Sequence, residues 1–183
     1  MLRIDHMGRR LLFLGDSLIE YFDWAARYPD HDVYNLGIAG ETVDGLQRRL
    51  RNIFSRVHAA DHIFIMSGIN NLAMGDEDFI NAYRDSVREI SSAYPSATIH
   101  IQSLLPVLFP YISHDQIRRM NSRLLTMASD QGVSFLDVHR VFLDGKGRPV
   151  SAYLLEDGVH VSEEGYRVWS AEIEKLVRDH RFR

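Results

Sequence analysis

The run Leu11-Leu12-Phe13-Leu14-Gly15-Asp16-Ser17-Leu18-Ile19-Glu20 decides how this chain is read. Four consecutive apolar residues stop at a glycine, and a serine follows two residues later, where a helix should begin. An apolar run this short fits a strand buried on both faces, as in a parallel sheet. In such sheets chemistry gathers beyond the carboxyl ends of the strands, beside the positive ends of helices. At that junction Ser17 is either a helix cap or a nucleophile.

The same alternation recurs outward from this run. Leu11–Leu14, Asp32–Asn35, Ile63–Met66, Thr98–Gln102 and Val133–Leu136 read as strands, the second of them weak. Val43, Leu46, Leu50, Ile53 and Phe54 recur at helical spacing, as do Ile80, Tyr83, Val87, Ile90 and Tyr94 before the breaker Pro95. Ile117, Met120, Leu124 and Met127 mark a third helix closed by Gly132, and Tyr166, Trp169, Ile173 and Leu176 a fourth. Ser162, followed by Glu163 and Glu164, is a good N-cap with acidic first-turn residues. Strands joined by crossover helices predict the α/β class, a three-layer doubly wound sheet of five parallel strands in the order 2-1-3-4-5. No repeat, low-complexity segment or linker interrupts the pattern, so residues 1–183 read as a single domain. The longest irregular stretch, Asp144–Gly158, has the length of a functional or mobile loop.

Composition narrows the function classes. Hydrophobic residues make up 45% of the chain, as in an ordinary globular protein. The net charge of −4 and the scattered Lys and Arg argue against a nucleic-acid partner, and Arg48-Arg49-Leu50-Arg51 reads as a solvated helix face. The lack of cysteine excludes disulfides, a thiol nucleophile and thiolate metal sites. No His-x-x-x-His or acidic cluster argues for a metal, and no cofactor is expected. No apolar run approaches the ~20 residues of a membrane span, so no integral membrane association is expected. Residues 1–7 lack the apolar core of a secretory leader, which predicts a cytoplasmic location. A homodimer is compatible with a small enzyme of this kind.

Four segments that follow strands should meet at the carboxyl edge of the sheet: Gly15-Asp16-Ser17, Asn35 to Thr42, Ser67-Gly68-Ile69-Asn70-Asn71, and Asp157-Gly158-Val159-His160. Hydrolysing an ester needs an activated oxygen, a base, a group that orients the base, and donors aimed at the developing oxyanion. Ser17 supplies the oxygen. His160, with an imidazole reference pKa near ~6.5, suits proton transfer near neutral pH. Asp157, three residues earlier, can accept from Nδ1–H and leave Nε2 facing the serine. The N–H groups of Ser17 and Gly40 and the side-chain amide of Asn70 are the candidate oxyanion donors, with Gly40 letting backbone approach the substrate. Asp16 is expected to shape the turn through backbone bonds, and Asp137 and His139 to be structural strand-end residues. The stretch Leu104 to Ile112 is unusually apolar for a loop. It reads either as a buried connector or as one wall of an acyl or aryl pocket, with Leu108, Phe109 and Tyr111 as the substrate-contacting candidates.

These segments resemble the GDSL or SGNH hydrolase family of lipases, esterases, thioesterases and acetylhydrolases. Gly15-Asp16-Ser17-Leu18 matches the first family block, Asn35-x-Gly37-x-x-Gly40 the second, Gly68-Ile69-Asn70 the third and Asp157-x-x-His160 the last, in family order. The resemblance implies a flavodoxin-like fold and a serine esterase or acylhydrolase. Its triad would be Ser17, His160 and Asp157, with an oxyanion hole at Ser17, Gly40 and Asn70. Asn71 stands where the family often has Asp. With the run Asn-Leu-Gly-Ile-Ala-Gly-Glu-Thr it is similar to the platelet-activating-factor acetylhydrolase branch. A small-molecule acyl ester of short to medium chain length is the expected substrate, with lysophospholipase and thioesterase activity in the same class. The alternatives are an acyltransferase using the same triad and a non-catalytic flavodoxin-like binding module. The intact triad argues against the second, because a retired site has no physical reason to keep both Asp157 and His160.

Overall fold

The structure is a computed structural model and describes residues 8–179, so the leader reading of residues 1–7 lies outside the described residues. Five strands, β1 (Arg10–Gly15), β2 (Asp32–Gly37), β3 (His62–Met66), β4 (Thr98–Gln102) and β5 (Ser134–Leu136), form one sheet. All are parallel, in the order β2-β1-β3-β4-β5. This is the expected topology, with helices on both sides. β1 and β3 are buried along nearly their whole length, as their unbroken apolar runs require. β2 is an edge strand and half exposed, which explains its weak apolar signature.

The long helices fall where the apolar spacing puts them: α3 (Val43–Arg56), α5 (Ile80–Ala93), α6 (His114–Asp130) and α7 (Glu163–Asp179). Three short ones, α1 (Ser17–Glu20), α2 (Trp24–Arg27) and α4 (Ile69–Ala73), are too brief to show a period in sequence. Thr42 caps α3 by accepting from the Gly45 N–H, Ser113 closes a reciprocal capping box with Gln116 on α6, and Ser162 accepts from Gly165 at the start of α7.

The two faces of the sheet pack differently. Right-handed crossovers place α3, α5 and α6 on one side and the α1–α2 segment with α7 on the other. On the α7 side Phe13 of β1 stacks between Phe64 of β3 and Trp24 of α2, with centroids 5.1 and 4.4 Å away. The stack continues to His100 of β4, 4.7 Å from Phe64, and Trp24 meets Trp169 of α7 edge-on at 5.3 Å. Offset aromatic stacking of this kind adds to the area buried. The other face is aliphatic: Leu12, Leu14, Ile63, Ile65, Ile99 and Ile101 are all buried.

Two long loops complete the fold. The 144–158 stretch is internally bonded, with 3₁₀ turns at His139–Phe142 and Ser151–Tyr153 flanking its core and an antiparallel bridge from Leu143 to Pro149. The Asp144 carboxylate accepts from the Lys146 and Arg148 N–H groups, so the turn satisfies itself. In the loop after β4, Leu104, Leu105, Val107 and Ile112 are buried connector, whereas Leu108 is 49% and Tyr111 77% exposed.

Phe13→Ala should remove the centre of the aromatic stack and cost about 3–5 kcal/mol. Urea unfolding followed by tryptophan fluorescence checks this; a loss under about 1 kcal/mol would mean the stack closes over the gap.

Candidate active site

The site begins with a cap. Asp16 leaves β1 in an extended conformation and its Oδ1 accepts the Leu18 N–H at 3.0 Å, making Asp16 the N-cap of α1. Ser17 is therefore the first helical residue, not the cap, and its hydroxyl is left for other partners. Asp16 is fully buried, and its Oδ2 has no partner among the described residues. Burial pushes its carboxyl up to about 7, with the Leu18 N–H opposing that shift and Glu41 adding to it.

Asp157-Gly158-Val159-His160 forms a tight turn. Asp157 Oδ1 accepts the N–H groups of Val159 and His160 at 2.8 and 2.9 Å, and Oδ2 lies 2.6 Å from His160 Nδ1. The hydrogen bond from His160 leads the causes that hold the Asp157 carboxyl down at about 2. A carboxylate can only accept, so Nδ1 carries the proton and Nε2 is free to accept. Nε2 lies 3.1 Å from Ser17 Oγ. Gly158 has φ +70°, and a Cβ there would stand 2.8 Å from the Leu108 carbonyl oxygen. The same residue accepts the Leu108 N–H at 2.7 Å, so the turn is seated on the loop after β4. Ser17, His160 and Asp157, 143 positions apart at the extremes, thus form one hydrogen-bonded line.

The 35–42 segment is held from several directions. Asn35 Nδ2 donates to the Ile19, Glu20 and Phe22 carbonyls at 3.1–3.2 Å, closing the end of α1. The Ala39 N–H donates to Glu20 Oε2 at 2.7 Å. Glu41 is paired through both oxygens with Arg49, which also donates to the Leu36 carbonyl at 2.7 Å. The sequence places Arg49 on a solvated helix face; the structure instead folds it inward to brace this loop. Gly40 has φ +74°, and a Cβ would meet nothing within 4 Å. Its glycine is thus required by backbone conformation, not by crowding.

Asn70 donates from Nδ2 to the Glu41 carbonyl at 2.9 Å, which ties the third segment to the loop of Gly40 and leaves one amide hydrogen. Asn71 faces the other way and is buried. Its Oδ1 accepts the Val43 N–H at 3.0 Å and its Nδ2 donates to Asp76 at 2.7 Å, so it anchors the start of α3. Asp137 accepts from the Arg140 N–H at 3.3 Å and His139 is buried near Ser103, away from the Ser17–His160 pair.

Leu108, Phe109 and Tyr111 do not wall the groove that borders His160. That groove, about 640 Å³, is lined by Tyr21, Phe22, Leu155, Val161 and Tyr166 among others. The Tyr21 ring sits 5.4 Å from the His160 ring. Sequence reasoning missed Tyr21 because it follows a four-residue helix with no readable face. Among the described residues no group of three or more His, Asp or Glu is arranged to hold a metal ion, and no helix is long and apolar enough to cross a membrane.

Known proteins resemble this chain in sequence and in fold. The GDSL-like Lipase/Acylhydrolase family profile matches residues 13–168. The chain is 27% identical over 173 residues to an Escherichia coli N-acylneuraminate cytidylyltransferase; the match takes in 92% of this chain, which spans 40% of the length of that relative. A Streptococcus pneumonia structure provisionally described as a platelet activating factor superposes with a TM-score of 0.82 at 24% identity, covering 96% of this chain and 86% of the other. An acetyl xylan esterase from Geobacillus stearothermophilus gives 0.75 at 20% identity, covering 94% and 97%.

The buried Asp16 predicts a pH signature. Its folded pKa lies above the unfolded value of ~3.9, so its favourable contribution is complete below ~4 and is lost as pH rises through about 7. Asp16→Asn keeps an oxygen for the Leu18 N–H and removes the titration. Its stability relative to wild type should therefore improve between pH 5 and pH 8. Parallel urea midpoints for the two proteins over that range would show that Asp16 does not titrate as described. By its profile match across most of its length, the chain belongs to the GDSL-like lipase/acylhydrolase family.

Proposed function

We propose that this acylhydrolase is a serine hydrolase that cleaves carboxylic ester or thioester bonds of short to medium acyl chains through an acyl-enzyme on Ser17. The observation that carries the reading is the continuous line from Ser17 Oγ through His160 to Asp157, at 3.1 and 2.6 Å. His160 Nε2 takes the Ser17 proton as Oγ bonds to the acyl carbon. The charge that develops on the carbonyl oxygen is met by the N–H groups of Ser17 and Gly40 and by the free amide hydrogen of Asn70. The C–O or C–S bond then breaks, and Nε2 returns the proton to the departing alkoxide or thiolate. Water repeats the sequence on the acyl-enzyme, releasing the acid and restoring Ser17.

The acetyl xylan esterase among the structural neighbours is compatible with short acyl groups, and so is the exposed setting of Leu108 and Tyr111 beside the partly buried Phe109. Those three residues belong to the proposal as the acyl-side surface. A single domain over residues 1–183, a cytoplasmic location and a homodimer are part of it too, to be checked by limited proteolysis, fractionation and light scattering. The acyltransferase alternative differs only in the acceptor, and adding a primary alcohol to a model-ester assay separates the two.

An organophosphonate should label Ser17 stoichiometrically, and Ser17→Ala should abolish both labelling and hydrolysis of p-nitrophenyl acetate. Labelling at another residue would overturn the assignment. The two asparagines should part company. Asn70→Ala should lower kcat by about 10²–10³ with the fold retained. Asn71→Ala should instead cost roughly 1–3 kcal/mol of stability by stripping the Val43 N–H and Asp76 of their partner. Equal losses of kcat in two folded variants would show that the oxyanion donor is misassigned.

A further inference from the structure

The groove beside His160 runs away from the imidazole along one face of α7, past Glu163, Tyr166, Arg167 and Ser170. The seven steps of helix from Glu163 to Ser170 make this roughly 10 Å long at ~1.5 Å per residue. Tyr21, 60% exposed, and Leu155, 52% exposed, stand at its mouth, and Val161 and Tyr166 carry the apolar wall inward. None of its lining residues comes from 36–42 or 68–72, the segments of Gly40 and Asn70.

That placement identifies which part of an ester can reach it. In the tetrahedral intermediate the carbon bonded to Ser17 Oγ carries an oxyanion, an acyl substituent and a leaving oxygen. The oxyanion turns toward Gly40 and Asn70. The leaving oxygen must lie against His160 Nε2, because that nitrogen supplies its proton. A space that starts at His160 and avoids the oxyanion segments therefore receives the leaving group. The acyl substituent takes the remaining direction, away from both the groove and the oxyanion segments.

Charge narrows the occupant. Asp23 and Glu163 offset Arg27 and Arg167 around the groove. The Arg27 guanidinium is already held by Ser170 Oγ at 2.9 Å and Glu174 at 2.6 Å, and Arg167 pairs with Glu164 at 3.4 Å. Among the described residues lining the groove each arginine has an acidic partner, and the walls are mostly apolar. Resting on the serine-hydrolase reading above, we propose that this groove is the leaving-group subsite and that its occupant is a neutral apolar alcohol, aryl or alkyl.

Two substrate series test this. Acetates of methanol, butanol and benzyl alcohol vary the leaving group, and methyl esters of acetic, butyric and octanoic acid vary the acyl group. In the wild type kcat/KM should climb roughly tenfold or more across the alcohol series and less across the acyl series. Leu155→Asp should cut the benzyl-to-methyl acetate ratio by about tenfold and leave the octanoate-to-acetate ratio in place. A variant that lowers the acyl ratio instead would place the acyl chain in the groove and overturn the proposal. A binding measurement needs no turnover: 2-naphthol added to Ser17→Ala should shift the amide resonances of Tyr21, Leu155 and Val161. If no ester is hydrolysed, the serine-hydrolase reading fails on its own, and the naphthol shifts still decide the groove. Their absence, or a concentration-dependent dimer that perturbs the same resonances without ligand, would overturn the leaving-group assignment.

Discussion

The hydrogen bond from the Leu18 N–H to the Asp16 carboxylate turns the chain from β1 into α1 within one residue. Everything at the candidate site depends on that turn. It makes Ser17 the first helical residue, so the serine side chain is not consumed as a cap and lies at the sheet edge beside the positive helix end. The arrangement places a carboxyl group in a fully buried setting, where its second oxygen goes unpaired. A buried carboxyl with one bond made and one missing is a local cost. The surrounding core offsets it, with Leu18 and Ile19 buried and Tyr166 donating its hydroxyl to the Leu18 carbonyl at 2.9 Å. Stability is given up at the junction so that a hydroxyl can be presented with little freedom.

The loop of Gly40 shows the complementary strategy. It is an exposed turn on an edge strand, the kind of segment that ordinarily moves. Here Glu20, Arg49 and Asn70 each bond to it from a different element. The Arg49–Glu41 pair is largely shielded from water and bidentate, the geometry in which an ion pair is directional rather than diffuse. Donors that must wait for a developing charge benefit from being held in place beforehand. In the proposed mechanism the bracing supplies that rigidity without regular secondary structure.

Structural neighbours near 20–24% identity keep the same architecture across nearly the whole chain. What varies in such a fold is loop and groove, because the parallel sheet and its helices set where strand ends point but not what surrounds them. In this chain the surroundings differ in kind: Leu108 and Tyr111 are exposed in the loop after β4, and a groove against α7 borders His160. Specificity in such a site comes from which substituent of the substrate each surface receives.

Much of this was legible in the residues. Unbroken apolar runs identify β1 and β3 because strands buried on both faces need no polar alternation, and the 3.6-residue period exposes α3, α5, α6 and α7. The four family blocks named Ser17, Gly40, Asn70, Asp157 and His160, since the chemistry each proposed role requires restricts the residue type at that position. Short elements were not legible: α1, α2 and α4 have four or five residues, fewer than two helical turns, and leave no period to read. Nor could sequence reveal that Arg49 folds inward, that Asn71 anchors α3, or that the groove at His160 is built from Tyr21, Leu155 and Tyr166. Those facts depend on residues distant in sequence meeting in space. The chain alone determined which groups could do chemistry; packing of α7 against the α1–α2 segment decided which surfaces face them.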